Sequence, residues 1–284
     1  MIKTGQALGD VLAQAAAQLQ EAGIPEPARE ALRLWGGLTG HSCSEGVLRK
    51  SFPLPEPEEG RLVEAARRRA AGEPLAYVTG WTGFRNLVLH CDQRALIPRP
   101  ETEGLVDLVL SRNRQGRVLD VGTGTGCIAL SLAQEGQYRL VLAVDRSAEA
   151  LALARENAQR SGLPVSFLRG DLSAPVGAGT FDVLVANPPY LTEGEYAGLD
   201  PSVRNWEPRA ALVSGPDGLD VTRALLREGR EVVCPGGWLA LEVDCTRAPH
   251  VAEEAAALGW SDVTVTDDLF GRARYLMARR RAWN

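Results

Sequence analysis

The stretch Phe181-Asp-Val-Leu-Val-Ala-Asn-Pro-Pro-Tyr190 is the most informative part of this sequence. Its first six residues are a strand-like apolar run, so the polar Asn187 falls at the carboxyl end of a buried strand, where open α/β sheets bind ligands. The side-chain oxygen of Asn187 and the carbonyl oxygen of Pro188 are consecutive hydrogen-bond acceptors, and a proline has no N–H to compete for them. This arrangement suits a planar NH2 group, and Tyr190 offers a flat face for stacking on it.

A purely structural interpretation of Asn187 to Tyr190 is also open. Prolines hold φ near about −65° and favour extended geometry in the residue before them, so these residues also suit a rigid exit from a strand. A bare four-residue match favours that interpretation. The position of the four residues downstream of a second motif reverses the balance.

The second motif is the glycine-rich run Asp120-Val-Gly-Thr-Gly-Thr-Gly126, which leaves one predicted strand and enters a predicted helix. Glycines there allow a ligand to approach the backbone at a helix N-terminus. The run alone is weak evidence, because NAD-binding loops and structural turns look similar. It makes five loop residues candidates for binding a nucleotide-like cofactor: Gly122, Thr123, Gly124, Thr125 and Gly126.

Acidic residues at three successive strand ends favour S-adenosylmethionine as that cofactor. Asp120 is badly placed beside a pyrophosphate but suits an ammonium group, directly or through water, and Asp145 can accept both ribose hydroxyls. Asp171 can accept from the adenine amino group while Leu172 packs on the ring. As a lone residue, Asp171 is equally consistent with a helix or turn cap.

Composition narrows the possibilities further. The chain has 284 residues and a formal net charge of −5, which argues against a general affinity for nucleic-acid phosphates. No run of about 18 apolar residues occurs, and the first five residues lack the apolar core of a signal peptide, which predicts a cytoplasmic protein. Five cysteines without a C-x-x-C pair and three scattered histidines predict reduced thiols and no metal site.

The first part of the chain has helical periodicity. Apolar spacing predicts helices from Leu8 to Leu19, Ala28 to Trp35 and Leu62 to Ala71, with a Pro- and Glu-rich loop over Phe52 to Gly60. Short β-prone runs between Phe84 and Ile97 predict a hairpin. The predicted domains are therefore a helical domain over residues 1–75, a β-hairpin linker over 76–105 and an α/β domain over 106–284.

The remainder alternates strands with helices, which predicts a doubly wound parallel sheet of the Rossmann-like α/β class. An antiparallel pair, Asp262 to Thr266 and Ala273 to Ala278, is predicted to close one sheet edge. The predicted strands run from Arg117 to Val121, Arg139 to Val144, Val165 to Leu168, Phe181 to Ala186 and Trp238 to Val243. The predicted helices run from Cys127 to Gln134, Ala148 to Arg160, Leu219 to Val233 and Pro249 to Leu258.

With these motifs in this order, the chain resembles class I amino-methyltransferases that act on planar NH2 groups, and more closely the peptide chain release factor glutamine N5-methyltransferases. The resemblance covers nearly the whole chain. It departs at Gly83, where an acidic residue is usual, and at Trp206, where tyrosine is common. The matching stretches are Gly72-Glu-Pro-Leu-Ala-Tyr77, Leu96-Ile-Pro-Arg-Pro-Glu-Thr-Glu103, Asn187-Pro-Pro-Tyr190, Trp206-Glu-Pro-Arg209, Gly215-Pro-Asp-Gly-Leu219 and Asp268 to Arg274.

The resemblance implies roles for individual residues. Asn187, Pro188 and Tyr190 would be catalytic and, with Pro189, would hold the glutamine, while Asn187 would also touch S-adenosylmethionine and its product S-adenosylhomocysteine. Arg99 and Glu101 would border the substrate pocket, although a helix-capping or loop-pinning ion pair is an equally good account of them. The implied partner is a peptide chain release factor, bound by a monomer without stable nucleic-acid or membrane contacts.

Three other functions compete with this one. An adenine-N6 methyltransferase of DNA or RNA would use the same acceptors on a flipped base, but it needs a basic groove, and only about ninety residues follow Tyr190. A ribosomal-protein glutamine methyltransferase is poorly separated by sequence. A non-catalytic cofactor-binding adaptor is disfavoured because each motif residue is intact.

Overall fold

The computed structural model describes residues 4–282, so Met1, Ile2 and Lys3, which entered the argument against a signal peptide, lie outside it. The chain divides into two compact units. One contains the residues up to Trp81 together with Asp200–Trp206, and the other contains Thr82–Leu199 and the residues from Glu207 onward. The boundaries at residues 75 and 105 remain sequence-based predictions.

The first unit is mainly helical. Its core is formed by apolar side chains that recur at helical spacing, among them Val11, Leu19, Leu34 and Leu62. Its elements are β1 (Thr4–Ala7), α1 (Leu8–Glu21), α2 (Pro27–Thr39), α3 (Cys43–Leu48), β2 (Pro53–Pro55), α4 (Glu56–Ala70), α5 (Leu75–Thr79) and α10 (Pro201–Arg204), and β1 pairs with β2.

The predicted loop from Phe52 to Gly60 is wrong. Strand β2 and the first turns of α4 occupy it, and α4 begins at Glu56. Proline is tolerated in the first turn of a helix, and the acidic residues Glu56, Glu58 and Glu59 there complement the positive end of the helix dipole. A Pro- and Glu-rich segment therefore marks a helix start here.

The second unit opens with a hairpin, β3 (Trp81–Phe84) and β4 (Leu87–His90), so the predicted hairpin exists but ends before Ile97. The later elements are α6 (Thr102–Arg112), β5 (Gln115–Val121), α7 (Cys127–Glu135), β6 (Gln137–Asp145), α8 (Ala148–Ser161), β7 (Ser166–Arg169), β8 (Phe181–Ala186), α9 (Glu193–Ala197), α11 (Asp220–Val232), β9 (Val233–Glu242), α12 (Ala248–Ala257), β10 (Trp260–Asp267) and β11 (Ala273–Arg280), with a 3-10 turn at Arg209–Ala211.

The central sheet has seven strands in the order β10-β11-β9-β8-β5-β6-β7. Strands β9, β8, β5, β6 and β7 run parallel, while β10 and β11 are antiparallel and lie at one edge. The doubly wound sheet and the antiparallel edge pair are thus confirmed.

Helices cover both faces of the sheet, because successive strand residues belong to different apolar clusters. Val183 and Val185 pack in the cluster that includes α6 and α7, whereas Leu184 and Ala186 pack in the cluster that includes α11 and α12. Burial on both faces explains why these strands are almost continuously apolar. Among the described residues, no helix is both long and apolar enough to cross a membrane.

Candidate active site

The glycine loop and the Asn187 motif leave the sheet side by side. Strands β5 and β8 are parallel neighbours, and their last residues, Val121 and Ala186, are register partners. The chain crosses over in opposite directions after these two strands, which makes this the switch point where doubly wound sheets bind ligands. A cavity of about 270 Å³ lies there, close to the lower end of the volumes typical of small-molecule sites.

The predicted site residues divide into two groups. Eight of them line the cavity: Gly122, Gly124, Asp145, Asp171, Leu172, Asn187, Pro188 and Pro189. The other seven described candidates lie off its wall, namely Asp120, Thr123, Thr125, Gly126, Arg99, Glu101 and Tyr190.

The glycines of the loop have different tasks. Gly122, Gly124 and Gly126 all have positive φ, of 73°, 57° and 85°, a region that side chains disfavour. A Cβ on Gly122 would point into open space, whereas one on Gly126 would lie 3.2 Å from Leu130 and 3.3 Å from Ala154. Gly122 therefore leaves room for a ligand, and Gly126 allows tight packing against helices α7 and α8.

Asp145 braces the glycine loop from the end of β6. Its Oδ2 accepts from the backbone N–H of Gly124 at 3.0 Å, and its Oδ1 accepts from that of Ser147 at 2.9 Å. A carboxylate has about four acceptor positions, so two remain for hydroxyl donors. Since Asp145 also lines the cavity, it can hold the loop and a ribose together.

Asp120 lies beneath the loop and is fully buried. Its Oδ2 accepts from the Thr123 hydroxyl at 2.6 Å and from the Ala129 N–H at 3.2 Å, whereas Oδ1 is buried with no hydrogen-bond partner among the described residues. Burial raises the pKa of Asp120 to about 7, although those two hydrogen bonds oppose the rise. The unpartnered Oδ1 is an acceptor that an ammonium group could use, but Asp120 does not line the cavity, so its contact with S-adenosylmethionine remains a prediction.

We expect the Asp120 ionisation to make the ligand-free protein less stable at higher pH. The folded pKa lies above the unfolded value, so the folded state binds more protons between about pH 4 and pH 7 and loses up to about 1.4 kcal/mol per pH unit there. Asp120→Asn removes this loss. Thermal denaturation at pH 5, 6 and 7 should show the variant gaining stability relative to the wild type, and parallel curves would contradict the assignment.

Asp171 and Leu172 follow β7 and lie on the cavity wall. Leu172 has φ of 48°, in the left-handed region that non-glycine residues seldom adopt and that often occurs at ligand sites. The position of both residues is compatible with an adenine ring. Their contacts with a ligand remain predictions.

Asn187 is oriented by two residues that the sequence did not single out. Its Nδ2 donates to the Thr102 hydroxyl at 3.0 Å, and that hydroxyl donates to Glu242 Oε2 at 2.7 Å. Both Thr102 and Glu242 are buried, and burial raises the pKa of Glu242. A sequence signal for Glu242 exists, since an acidic residue at the end of the apolar run Trp238-Leu-Ala-Leu241 needs a buried partner.

Tyr190 is partly buried and is not among the residues that line the cavity. Burial raises the pKa of its phenol, the nearby Glu242 carboxylate raises it further, and the positive charges of Arg274 and Arg99 lower it. Stacking of Tyr190 on a substrate amide is untested.

Arg99 and Glu101 form ion pairs, as the loop-pinning alternative predicts. Arg99 Nη2 lies 2.6 Å from Glu207 Oε1, and the other Glu207 oxygen accepts from the Ile97 N–H at 3.1 Å. Glu101 pairs with Arg272 at 3.2 Å. These contacts tie the segment before α6 to the loop after Trp206, and direct substrate binding by Arg99 and Glu101 remains a prediction.

The two departures from the expected pattern have simple surroundings. Gly83 lies in the hairpin with open space where a Cβ would be, so a larger side chain could be accommodated in that position. The Trp206 indole nitrogen lies 3.8 Å from the position of a Cβ on Gly72 within the first unit. Neither residue lies on the wall of the cavity between the glycine loop and Asn187.

Two families of known sequence match this chain. Residues 102–199 match the Methyltransferase small domain, and residues 10–80 match the PrmC N-terminal domain. The chain is 44% identical to the release factor glutamine methyltransferase of Deinococcus radiodurans, over 96% of this chain and 98% of the relative. It is 40% identical to the protein of the same name from Moorella thermoacetica, over 96% and 99%.

Solved structures share the fold at lower identity. A methyltransferase from Pyrococcus furiosus superposes with a TM-score of 0.54 at 21% identity, covering 79% of this chain and 98% of that one. A 16S rRNA methyltransferase of T. thermophilus, solved in complex with AdoMet and guanosine, gives a TM-score of 0.51 at 20% identity over 71% and 50%. These likenesses concern the class I methyltransferase fold alone.

Proposed function

The chain belongs to the release factor glutamine methyltransferase family and is an S-adenosylmethionine-dependent methyltransferase, and we propose that it methylates the glutamine side-chain nitrogen N5 in the Gly-Gly-Gln loop of peptide chain release factors. The observation that carries this proposal is the Asn187 side chain on the cavity wall beside Pro188. Because its amide nitrogen donates to Thr102, its oxygen is left as the acceptor.

The chemical problem is that an amide nitrogen is a poor nucleophile, because its lone pair is delocalised into the carbonyl. In the proposed arrangement, Asn187 Oδ1 and the Pro188 carbonyl each accept one N–H of the glutamine amide. The two bonds turn the NH2 group so that its lone pair faces the cofactor side of the cavity. They strengthen as positive charge grows on nitrogen, so they stabilise the transition state more than the ground state.

The cofactor supplies, when bound, an electrophilic methyl group on a sulfonium sulfur. The chain's own residues hold the reactants in line, and positioning of this kind is worth roughly 7–11 kcal/mol in intramolecular systems. The two prolines limit backbone motion at the acceptors. The proposed transfer needs no general base, because the methylated nitrogen is acidic and loses its proton afterwards.

The Gly-Gly-Gln loop suits such a site. The glutamine side chain must enter the cavity without its own backbone meeting the wall, and glycines beside it remove the β-carbons that would collide. We expect a short free peptide to be a poor substrate, because ordering a flexible segment costs binding free energy.

Methyl incorporation from labelled S-adenosylmethionine tests the assignment. We expect label in an intact release factor and none in its Gln→Ala loop variant, in duplex DNA or in ribosomal protein under identical conditions. Label in DNA would favour an adenine-N6 methyltransferase, and label in the ribosomal protein alone would favour the other glutamine methyltransferase. Undiminished label in the loop variant would place the modified residue elsewhere.

We also propose that the helical unit docks the release factor. Leu48 and Phe52 are 78% and 62% exposed there, as is Val47 at 50%, and a group of exposed apolar side chains is typical of a docking surface. We expect Leu48→Ser and Phe52→Ser together to raise KM for the intact factor about tenfold, with kcat and cofactor affinity unchanged.

Val88→Ser is the matched control for this docking experiment, since Val88 is 76% exposed on the hairpin of the other unit. It should leave KM within about twofold of the wild type. An equal rise in KM for the control and the double variant would indicate a general surface effect and contradict docking through the helical unit.

A further inference from the structure

A buried polar network lies directly behind the Asn187 motif. Glu242 and Thr102 are 1% and 2% exposed, and Arg274 is 9% exposed. Thr102 begins α6, Glu242 ends β9 and Arg274 lies on β11, so three elements contribute to it. Burying a carboxylate and a hydroxyl costs free energy unless each has a hydrogen-bond partner. This cost indicates that the network does more than fill the core.

The network has a direction that follows from hydrogen-bond chemistry. The Thr102 hydroxyl has a single proton, and it donates that proton to Glu242 Oε2 at 2.7 Å. The hydroxyl then has only lone pairs to offer to Asn187, which must turn its NH2 toward Thr102. Glu242 thereby determines which end of the Asn187 amide is left free.

The same chain of bonds strengthens the free acceptor. Successive hydrogen bonds polarise one another in a low-dielectric interior. Donation from Asn187 Nδ2 to a hydroxyl that itself donates to a carboxylate shifts electron density toward Asn187 Oδ1. An amide oxygen with more negative charge binds an N–H more tightly, above all when positive charge develops on that nitrogen.

Glu242 has a second buried partner besides Thr102. Its Oε1 lies 3.8 Å from Arg274 Nη1, so the second oxygen of this carboxylate faces a positive charge. Arg274 is held in turn by Asp268 Oδ2 at 2.9 Å. Both oxygens of Glu242 therefore face buried partners, Oε1 the guanidinium of Arg274 and Oε2 the hydroxyl of Thr102.

We infer that Thr102 and Glu242 are positioning residues for methyl transfer, which orient and polarise the Asn187 amide so that its oxygen faces the substrate NH2. This inference rests on the proposed function, because it concerns the same transfer step. Neither residue touches the substrate in this scheme. Both act through Asn187.

The test compares two substitutions of Thr102, one that removes the hydroxyl and one that keeps it. Thr102→Val keeps the shape but cannot bridge Asn187 and Glu242, so we expect kcat to fall about tenfold, at the lower end of the effects seen for residues that orient a functional ligand. Thr102→Ser keeps the hydroxyl and should restore kcat to within about threefold of the wild type. The cofactor dissociation constant and KM for the factor should change less than about threefold in both variants.

Glu242→Gln examines the direction of the network. Glutamine can present either an oxygen or an NH2 group to Thr102, so the orientation of Asn187 is no longer specified, and kcat should fall about as far as in Thr102→Val. Because Glu242 acts through Thr102, the double variant should be no slower than either single variant. Multiplied losses would mean that the two residues act independently.

Two controls keep the outcomes distinct. Thr222→Val makes the same substitution at a helical threonine that is 1% exposed, and it should leave kcat unchanged. The second control is methylation of the release factor by the wild-type protein. A wild type that does not methylate the release factor would overturn the proposed function. An active wild type with an equally active Thr102→Val, or a Thr102→Ser as slow as Thr102→Val, would overturn the positioning role alone.

Discussion

Asn187→Ala is expected to lower kcat for release-factor methylation by on the order of 10²–10³, the size typical for loss of one preorganised polar contact in a transition state. Cofactor binding should remain largely intact, because the cavity wall keeps its acidic and glycine residues. The loss falls on kcat because the Asn187 oxygen is worth most when charge develops on the substrate nitrogen. Single-turnover methylation at saturating cofactor measures it directly.

Asn187→Asp is the informative companion variant. It keeps an acceptor for the substrate NH2, but it loses the NH2 group that donates to Thr102 and brings a second carboxylate toward Glu242. We therefore expect a kcat between those of the wild type and the alanine variant. An alanine variant that turns over at nearly the wild-type rate would show that this side chain is not the acceptor.

The sheet could be predicted from sequence because its strands are buried on both faces. Phe181–Ala186 is an unbroken apolar run ended by Asn187, and its predicted bounds agree with β8. Strand β9 starts at Val233, earlier than predicted, since Cys234-Pro-Gly-Gly237 resembles a turn. Local patterns locate a buried strand well but describe its ends poorly.

The cavity residues could be predicted to the extent that they follow strand ends. Gly122, Asp145 and Asn187 each come directly after an apolar strand, and parallel strands bring their carboxyl ends together. The pairing of Thr102 with Glu242 and Asn187 could not be found in this way, because Thr102 lies 140 residues from Glu242 and 85 residues from Asn187. Pairing over such distances depends on how α6 packs against the sheet, which no local pattern contains.

Asp120 shows the limit of reasoning from strand ends. The sequence places it at the end of β5 with the other acidic residues, but the structure buries it under the loop that it was expected to border. Its contacts with Thr123 and Ala129 support that loop. Successive side chains along a strand point to opposite faces of the sheet. A shift of one residue in the sequence therefore decides whether a carboxylate faces a ligand or the core.

Asp145→Ala is expected to weaken S-adenosylmethionine binding by up to about a hundredfold while KM for the release factor changes little. Loss of charge-assisted hydrogen bonds to two ribose hydroxyls costs roughly 1.5–3 kcal/mol, or about tenfold to a hundredfold in affinity. The structure favours a loss of affinity near the upper end of that range, for the following reason. The same carboxylate accepts from the Gly124 and Ser147 N–H groups, so its removal also loosens the glycine loop.

Calorimetric titration separates these two contributions when Asp145→Asn is measured beside the alanine variant. Asparagine fills the same space and keeps one acceptor, so it can still hold either Gly124 or Ser147, whereas alanine holds neither. If ribose binding dominates, both variants lose most of the affinity. If support of the loop dominates, asparagine should recover about half of the lost free energy. Asp145→Ala removes both carboxylate oxygens. If the alanine variant binds the cofactor as tightly as the wild type, neither oxygen binds the ribose, and the ribose must lie away from the end of β6.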